Sequence, residues 1–246
     1  MTNENRLHEV KVWDRSIRIF HWVNVACVLA LMIIGAAILY ASLLGISSEG
    51  KITLKIMHAY VGYVFAFNLL WRLMWGFIGS RFARWRSVMP FGRGYMDELK
   101  VWLHGIRTGQ APEYQGHNPA AKLMLLALYV LLIAQMTTGL VLAGTDLYFP
   151  PFGHEFAEWA TGAGEDHNRL DGLVPGAKEM LDPDGYAAMR KFREPFIAIH
   201  KLFFWFMLTA SFLHIAAVVI DEIRHGNGIV SAMITGKKIM HKQGRD

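Results

Sequence analysis

The chain has 246 residues, of which 53% are hydrophobic and only 18% charged, with a net charge of +5. A soluble domain is nearer a quarter charged, so the composition is that of a membrane protein. The basic residues lie beside apolar runs rather than in a block interleaved with aromatics, so nothing suggests a nucleic-acid face. The single cysteine, Cys27, excludes an internal disulfide, covalent haem attachment through Cys-x-x-Cys-His and a cysteine-held iron–sulfur cluster.

Residues 1–16 are polar and of mixed charge, unlike the start of a signal peptide. The apolar run from 17 to 44 is long enough to cross a bilayer as a helix, and it carries His21 with Asn24 one turn later. A second span is expected over 54–78, with His58 and Arg72, closing in the basic and aromatic stretch 79–86. Such a boundary suits the lipid headgroup level. Within 80–118, Tyr95, Leu99, Trp102, Leu103 and Ile106 recur at helical spacing. They predict an amphipathic helix, lying on the membrane surface or packed against the span ends. Asn118-Pro119 then reads as an N-cap followed by a first-turn proline.

The third span, 120–143, has no histidine; Gln135, Thr137 and Thr138 are its only mid-depth polar groups. Residues 144–194 form a long polar segment punctuated by prolines, with ten acidic and five basic residues. The fourth span, 195–220, contains His200 and His214.

Basic residues flank the spans at the N-terminus, in the 80–118 segment and in the tail. Four spans bring these regions to one side, which the positive-inside rule assigns to the cytoplasm. The acidic 144–194 segment is then extracytoplasmic.

With that orientation the histidines sort by depth. His21 and His214 fall toward the inner surface, His58 and His200 toward the outer one. The spacing 214 − 200 = 14 residues is about 21 Å of helix and roughly 40° short of four turns, so both imidazoles of the fourth span share a face. Arg72 follows His58 by 14 residues and Gly35 follows His21 by 14. Gly62 lies one turn beyond His58. Ionisable groups within a span are costly and suggest function. Two depth-matched pairs, His21/His214 and His58/His200, fit two bis-histidine haems, since haem takes only two axial nitrogens from a protein. Zinc normally takes three or four protein ligands. A buried guanidinium at Arg72 needs an anion, which a haem propionate supplies, and the glycines leave room for a flat macrocycle. His154 and His167 sit among carboxylates and form a weaker metal candidate.

The motifs Arg15-Ser16-Ile17-Arg18-Ile19-Phe20-His21-Trp22, Ile56-Met57-His58-Ala59-Tyr60-Val61-Gly62 with Arg72, and Gly116-His117-Asn118-Pro119 resemble the bacterial cytochrome b561 group. So do His200-Lys201 with His214 and the closing Ala232–Lys237. That group includes the b-type cytochrome subunits of nickel–iron hydrogenases. The resemblance implies a single membrane domain over residues 1–246, an all-α four-helix bundle enclosing two haems b, ligated by the same four histidines. It also implies electron exchange with quinone near the inner haem. Arg15, Asn24, Asp221 and His225 are candidates for that region. The expected role is electron transfer between quinone and a periplasmic redox protein, whether hydrogenase-like, another dehydrogenase or a c-type cytochrome. The alternative is a stand-alone quinone-linked oxidoreductase, oxidising quinol or superoxide. The 144–194 segment is longer and more acidic than the hydrogenase subunits lead one to expect.

Overall fold

The computed structural model describes residues 8–164, 170, 173–176, 179–226 and 228–240. Among the described residues four helices are long and apolar enough to cross a membrane: α1 (Arg15–Leu39), α2 (Ser48–Ile78), α5 (Pro119–Leu147) and α7 (Pro183–His225). Around them are a short strand β1 (His8–Lys11), α3 (Trp85–Val88), α4 (Tyr95–Thr108), α6 (Gly153–Thr161), α8 (Ile229–Thr235) and β2 (Lys237–Met240).

Every expected span corresponds to one of these helices, but their ends differ. The first helix stops at Leu39 rather than 44, with turns to Gly45 in the left-handed region (φ 65°). The second begins six residues earlier than expected, at Ser48. The largest difference is α7, which starts at Pro183 and runs unbroken through Pro195. Asp182 explains that start: its carboxylate accepts the Gly185 N–H at 2.7 Å, and Pro183 follows as first helical residue. The last quarter of the polar segment, 183–194, is therefore helix. Its Phe192 packs on Phe156 and Trp159 of α6, with ring centres 5.7 and 5.5 Å apart.

The chain divides into two compact units. The first comprises Met1–Asn24, Asn68–Val130 and Met207–Asp246; the second comprises Val25–Phe67 and Leu131–Phe206. In the first unit, β1 and β2 pair antiparallel, His8 opposite Met240 and Lys11 opposite Lys237. Below this ribbon, Val12, Trp13, Ile17, Ala83 and Ala232 form a buried apolar cluster. Asp14 caps α1, accepting the Ile17 N–H at 2.8 Å, the Ser80 hydroxyl at 2.5 Å and the Trp75 indole at 3.1 Å. Burial pushes its carboxyl up, but these hydrogen bonds outweigh that and hold it below the usual carboxylate range. Asn118 caps α5 as expected, accepting the Ala121 N–H at 2.8 Å. The amphipathic helix α4 meets the start of α5: the Tyr95 hydroxyl donates to the Pro119 carbonyl at 2.9 Å, and Glu98 faces Lys122 at 3.9 Å.

Candidate functional site

In the second unit, α2 and α7 bring His58 and His200 together, their ring centres 6.3 Å apart and their planes at 75°. A metal–imidazole bond is about 2 Å and the ring centre lies roughly 1 Å beyond the nitrogen, so two imidazoles on opposite sides of one metal have centres about 6 Å apart. The observed separation matches. Each ring edge also faces a glycine: a Cβ on Gly35 would lie 3.4 Å from His58 Cε1, and one on Gly139 would lie 3.5 Å from His200 Cε1. Larger side chains there would press on the imidazoles. A Cβ on Gly62 would meet no atom within 4 Å.

His200 is also held in one tautomer. Thr138 Oγ1 lies 2.8 Å from its Nδ1, and the same hydroxyl donates its own proton to the Ala134 carbonyl at 2.6 Å. Toward His200 the hydroxyl therefore accepts, which puts the proton on Nδ1 and leaves the Nε2 lone pair available. This is the supporting contact expected around a ligating histidine. Gln135 adds a hydrogen bond to the His200 carbonyl at 3.2 Å. His58 Nδ1 is buried with no hydrogen-bond partner among the described residues.

The first unit contains His21, His214, Arg72, Arg15, Asn24 and Asp221. His21 and His214 lie within electrostatic reach of each other, and His21 Nδ1 is buried without a partner among the described residues. Arg72 is 3% exposed, and its guanidinium lies over the faces of Trp85 at 4.8 Å and Tyr129 at 5.5 Å. Its Nη1 is buried with no hydrogen-bond partner among the described residues. The aromatic faces compensate part of this buried charge, and Tyr129 also hydrogen-bonds the guanidinium, which leaves Nη1 as the N–H still able to donate.

His117, which the sequence places only at a boundary, joins this surrounding. Its ring packs on Trp13, centres 4.7 Å apart. Burial, and then the charges of Arg72, Lys122, Lys238 and His214, push its imidazole down to about 3. Lys238, 8% exposed, donates to the Tyr114 carbonyl at 2.7 Å, and burial lowers its pKa.

Arg15 lines a groove of about 410 Å³ with Arg18, Trp22 and Met233. Asn24 Oδ1 is buried without a partner among the described residues, and Asp221 lies within reach of the Lys238 charge. The side chain of His225 and all of His167 fall outside the described residues. His154 pairs with Glu158 at 3.2 Å, and among the described residues no three potential ligands converge on a metal site.

Long apolar helices, two of which bring the half-buried imidazoles of His58 and His200 together, define the class: a helical membrane protein. Residues 12–236 match the prokaryotic cytochrome b561 family, and the chain belongs to it. It is accordingly a membrane b-type cytochrome of electron transport, with haem b as its cofactor. Among curated relatives, a probable Ni/Fe-hydrogenase B-type cytochrome subunit of Rhizobium leguminosarum bv. viciae is 26% identical, covering 94% of this chain and 89% of its own length. The probable Ni/Fe-hydrogenase 1 B-type cytochrome subunit of Escherichia coli K12 is 24% identical, covering 95% and 92%. A corresponding Rhodobacter capsulatus protein is 26% identical, covering 95% and 82%.

Proposed function

We propose that the chain is a di-haem b electron-transfer subunit, one domain over residues 1–246, linking a redox protein outside the cytoplasmic membrane to the quinone pool. The observation that carries this reading is the His58/His200 pair, spaced for two axial ligands of one metal and flanked by Gly35 and Gly139. His21 and His214 are the second axial pair, and Arg72 receives a propionate of the haem they hold. Haem b supplies one-electron chemistry when bound. The chain's part is to orient the imidazoles, exclude water from them and set the charge around them.

The relatives' names favour a nickel–iron hydrogenase as partner. Quinone exchange belongs to the His21/His214 end, with Arg15, Asn24, Asp221 and His225 as the residues to test. The basic flanks assign both termini to the cytoplasm. Pairing of β1 with β2 supports termini on a common side, as four crossings require.

A pyridine haemochrome assay on the purified chain tests the cofactor. About two haems b per chain are expected, and negligible haem in folded protein would falsify the proposal. Each of His200→Ala and His214→Ala removes a different haem, seen as loss of one component in a redox titration; retention of both haems by either variant overturns the pairing.

A further inference from the structure

The second unit contains a charged cluster that the axial pair does not use. Asp146 of α5 faces Lys55 of α2, with Nζ and Oδ2 2.7 Å apart, and Arg193 of α7, whose Nη2 donates to Oδ2 at 2.9 Å while Nε lies 2.8 Å from Oδ1. The side chains of Lys55, Asp146 and Arg193 are 30%, 16% and 12% exposed. Among the described residues one carboxylate thus balances two cations, leaving one unit of positive charge in a half-buried place. Withdrawing charge from water is costly unless a counter-charge is present, so this surplus calls for an anion.

Position along the helices says which anion. Lys55 precedes His58 by 58 − 55 = 3 residues, Arg193 precedes His200 by 200 − 193 = 7, and Asp146 follows Gly139 by 146 − 139 = 7. Seven residues are about 10 Å of axis and two turns, less roughly 20°, so Arg193 shares a face with His200 and Asp146 with Gly139. Three helices therefore carry the cluster two turns or less from the imidazole pair. That is the reach of a propionate arm from a ring centred between the two histidines.

We propose that Lys55 and Arg193, held in place by Asp146, receive a propionate carboxylate of the haem ligated by His58 and His200. The inference rests on that ligand assignment. It gives the second unit the anion-binding role that Arg72 has in the first, from different residues.

The test is a spectroscopic redox titration of the haem-loaded chain, with the component lost in His200→Ala marking the haem in question. Removing a nearby positive charge favours the oxidised haem. In Lys55→Gln the oxidised-to-reduced ratio of that component at fixed potential should rise about tenfold, equivalent to ~59 mV for one electron. In Asp146→Asn, which adds net positive charge, it should fall. Lys55→Arg should keep the wild-type potential, as should Glu49→Gln at an exposed site outside the cluster; the other component should not move. If Lys55→Gln fails to fold, the Asp146→Asn shift against the Lys55→Arg control decides the matter. Lowered thermal stability with both potentials unchanged would make the cluster a mere staple between helices and overturn the inference. Absence of haem from the wild-type chain, or retention of both haems by His200→Ala, overturns the ligand assignment instead.

Discussion

Thr138 supports His200 through one hydroxyl that accepts from Nδ1 and donates to Ala134. Thr138→Val keeps the shape and removes the acceptor, leaving a buried N–H unpaired. Loss of such a supporting contact typically costs 10- to 100-fold in metal affinity. The variant should release haem faster from the His58/His200 pair than from the other, measured by transfer to a haem-scavenging protein. Arg72→Gln should move the potential of the His21/His214 haem and spare its neighbour, checked by the same redox titration.

At His117 the effect is one of pH. Its imidazole is held down to about 3 in the folded chain, against about 6.5 when unfolded. Between these values the unfolded chain binds the extra proton, so this residue's contribution to stability is complete above about pH 6.5 and declines as pH falls toward 3. His117→Gln should show a shallower loss of melting temperature than wild type between pH 6.5 and 4.

The approach of His58 to His200 was legible because an imidazole within an apolar run is costly and therefore conspicuous. Thr138 and Gly139 were not. A threonine in a helix ordinarily bonds its own preceding turn, as Thr138 also does, and a lone glycine in an apolar run indicates close packing without saying against what. Their meaning comes from α7 lying beside α5, which no local pattern encodes.

Among the elements, the long helices follow from continuous hydropathy, and α4 from apolar residues recurring at helical spacing. The ends followed less well, because caps lie in polar sequence where hydropathy has stopped varying. Asp182-Pro183 is a readable start signal, yet Pro195 draws the eye as the natural beginning of α7. A proline inside a helix removes one backbone hydrogen bond, and here the helix continues through it. The β1–β2 ribbon was not legible: each strand has four residues, too few for alternation to stand out from a polar tail.

That ribbon depends on Gly236, which ends α8 at φ 84° and whose carbonyl accepts the Val12 and Trp13 N–H groups at 2.9 and 3.2 Å. A Cβ there would lie 2.6 Å from the Trp13 carbonyl oxygen. Gly236→Ala should therefore destabilise the first unit by about 1–3 kcal/mol, combining left-handed backbone strain with the close contact. Thermal unfolding followed by tryptophan fluorescence measures it. Asp14→Ala should cost about 1–2 kcal/mol for the lost cap, with Trp75 and Ser80 also losing their acceptor.

For the whole molecule, charge is distributed with a purpose that the net value of +5 conceals. Residues 144–194 carry five more acidic than basic groups (10 − 5), in the segment the proposed topology turns toward the partner. Opposite charge speeds encounter, and salt screens it. Reduction or oxidation of the reconstituted cytochrome by a basic soluble c-type cytochrome should slow several-fold between low and physiological ionic strength. A salt-independent rate would remove the acidic segment from the encounter.

The pairing of His8 with Met240 spans 240 − 8 = 232 residues, and this bears on how the protein is made. A strand synthesised early has no partner until α7 and α8 have left the ribosome. Until then Val12 and Trp13 have no Gly236 carbonyl to donate to, and the apolar cluster lacks Ala232. The first unit is thus completed only after all four membrane helices exist. A chain halted before residue 229 would lack both α8 and β2, and its first unit would stay open whatever the state of its second.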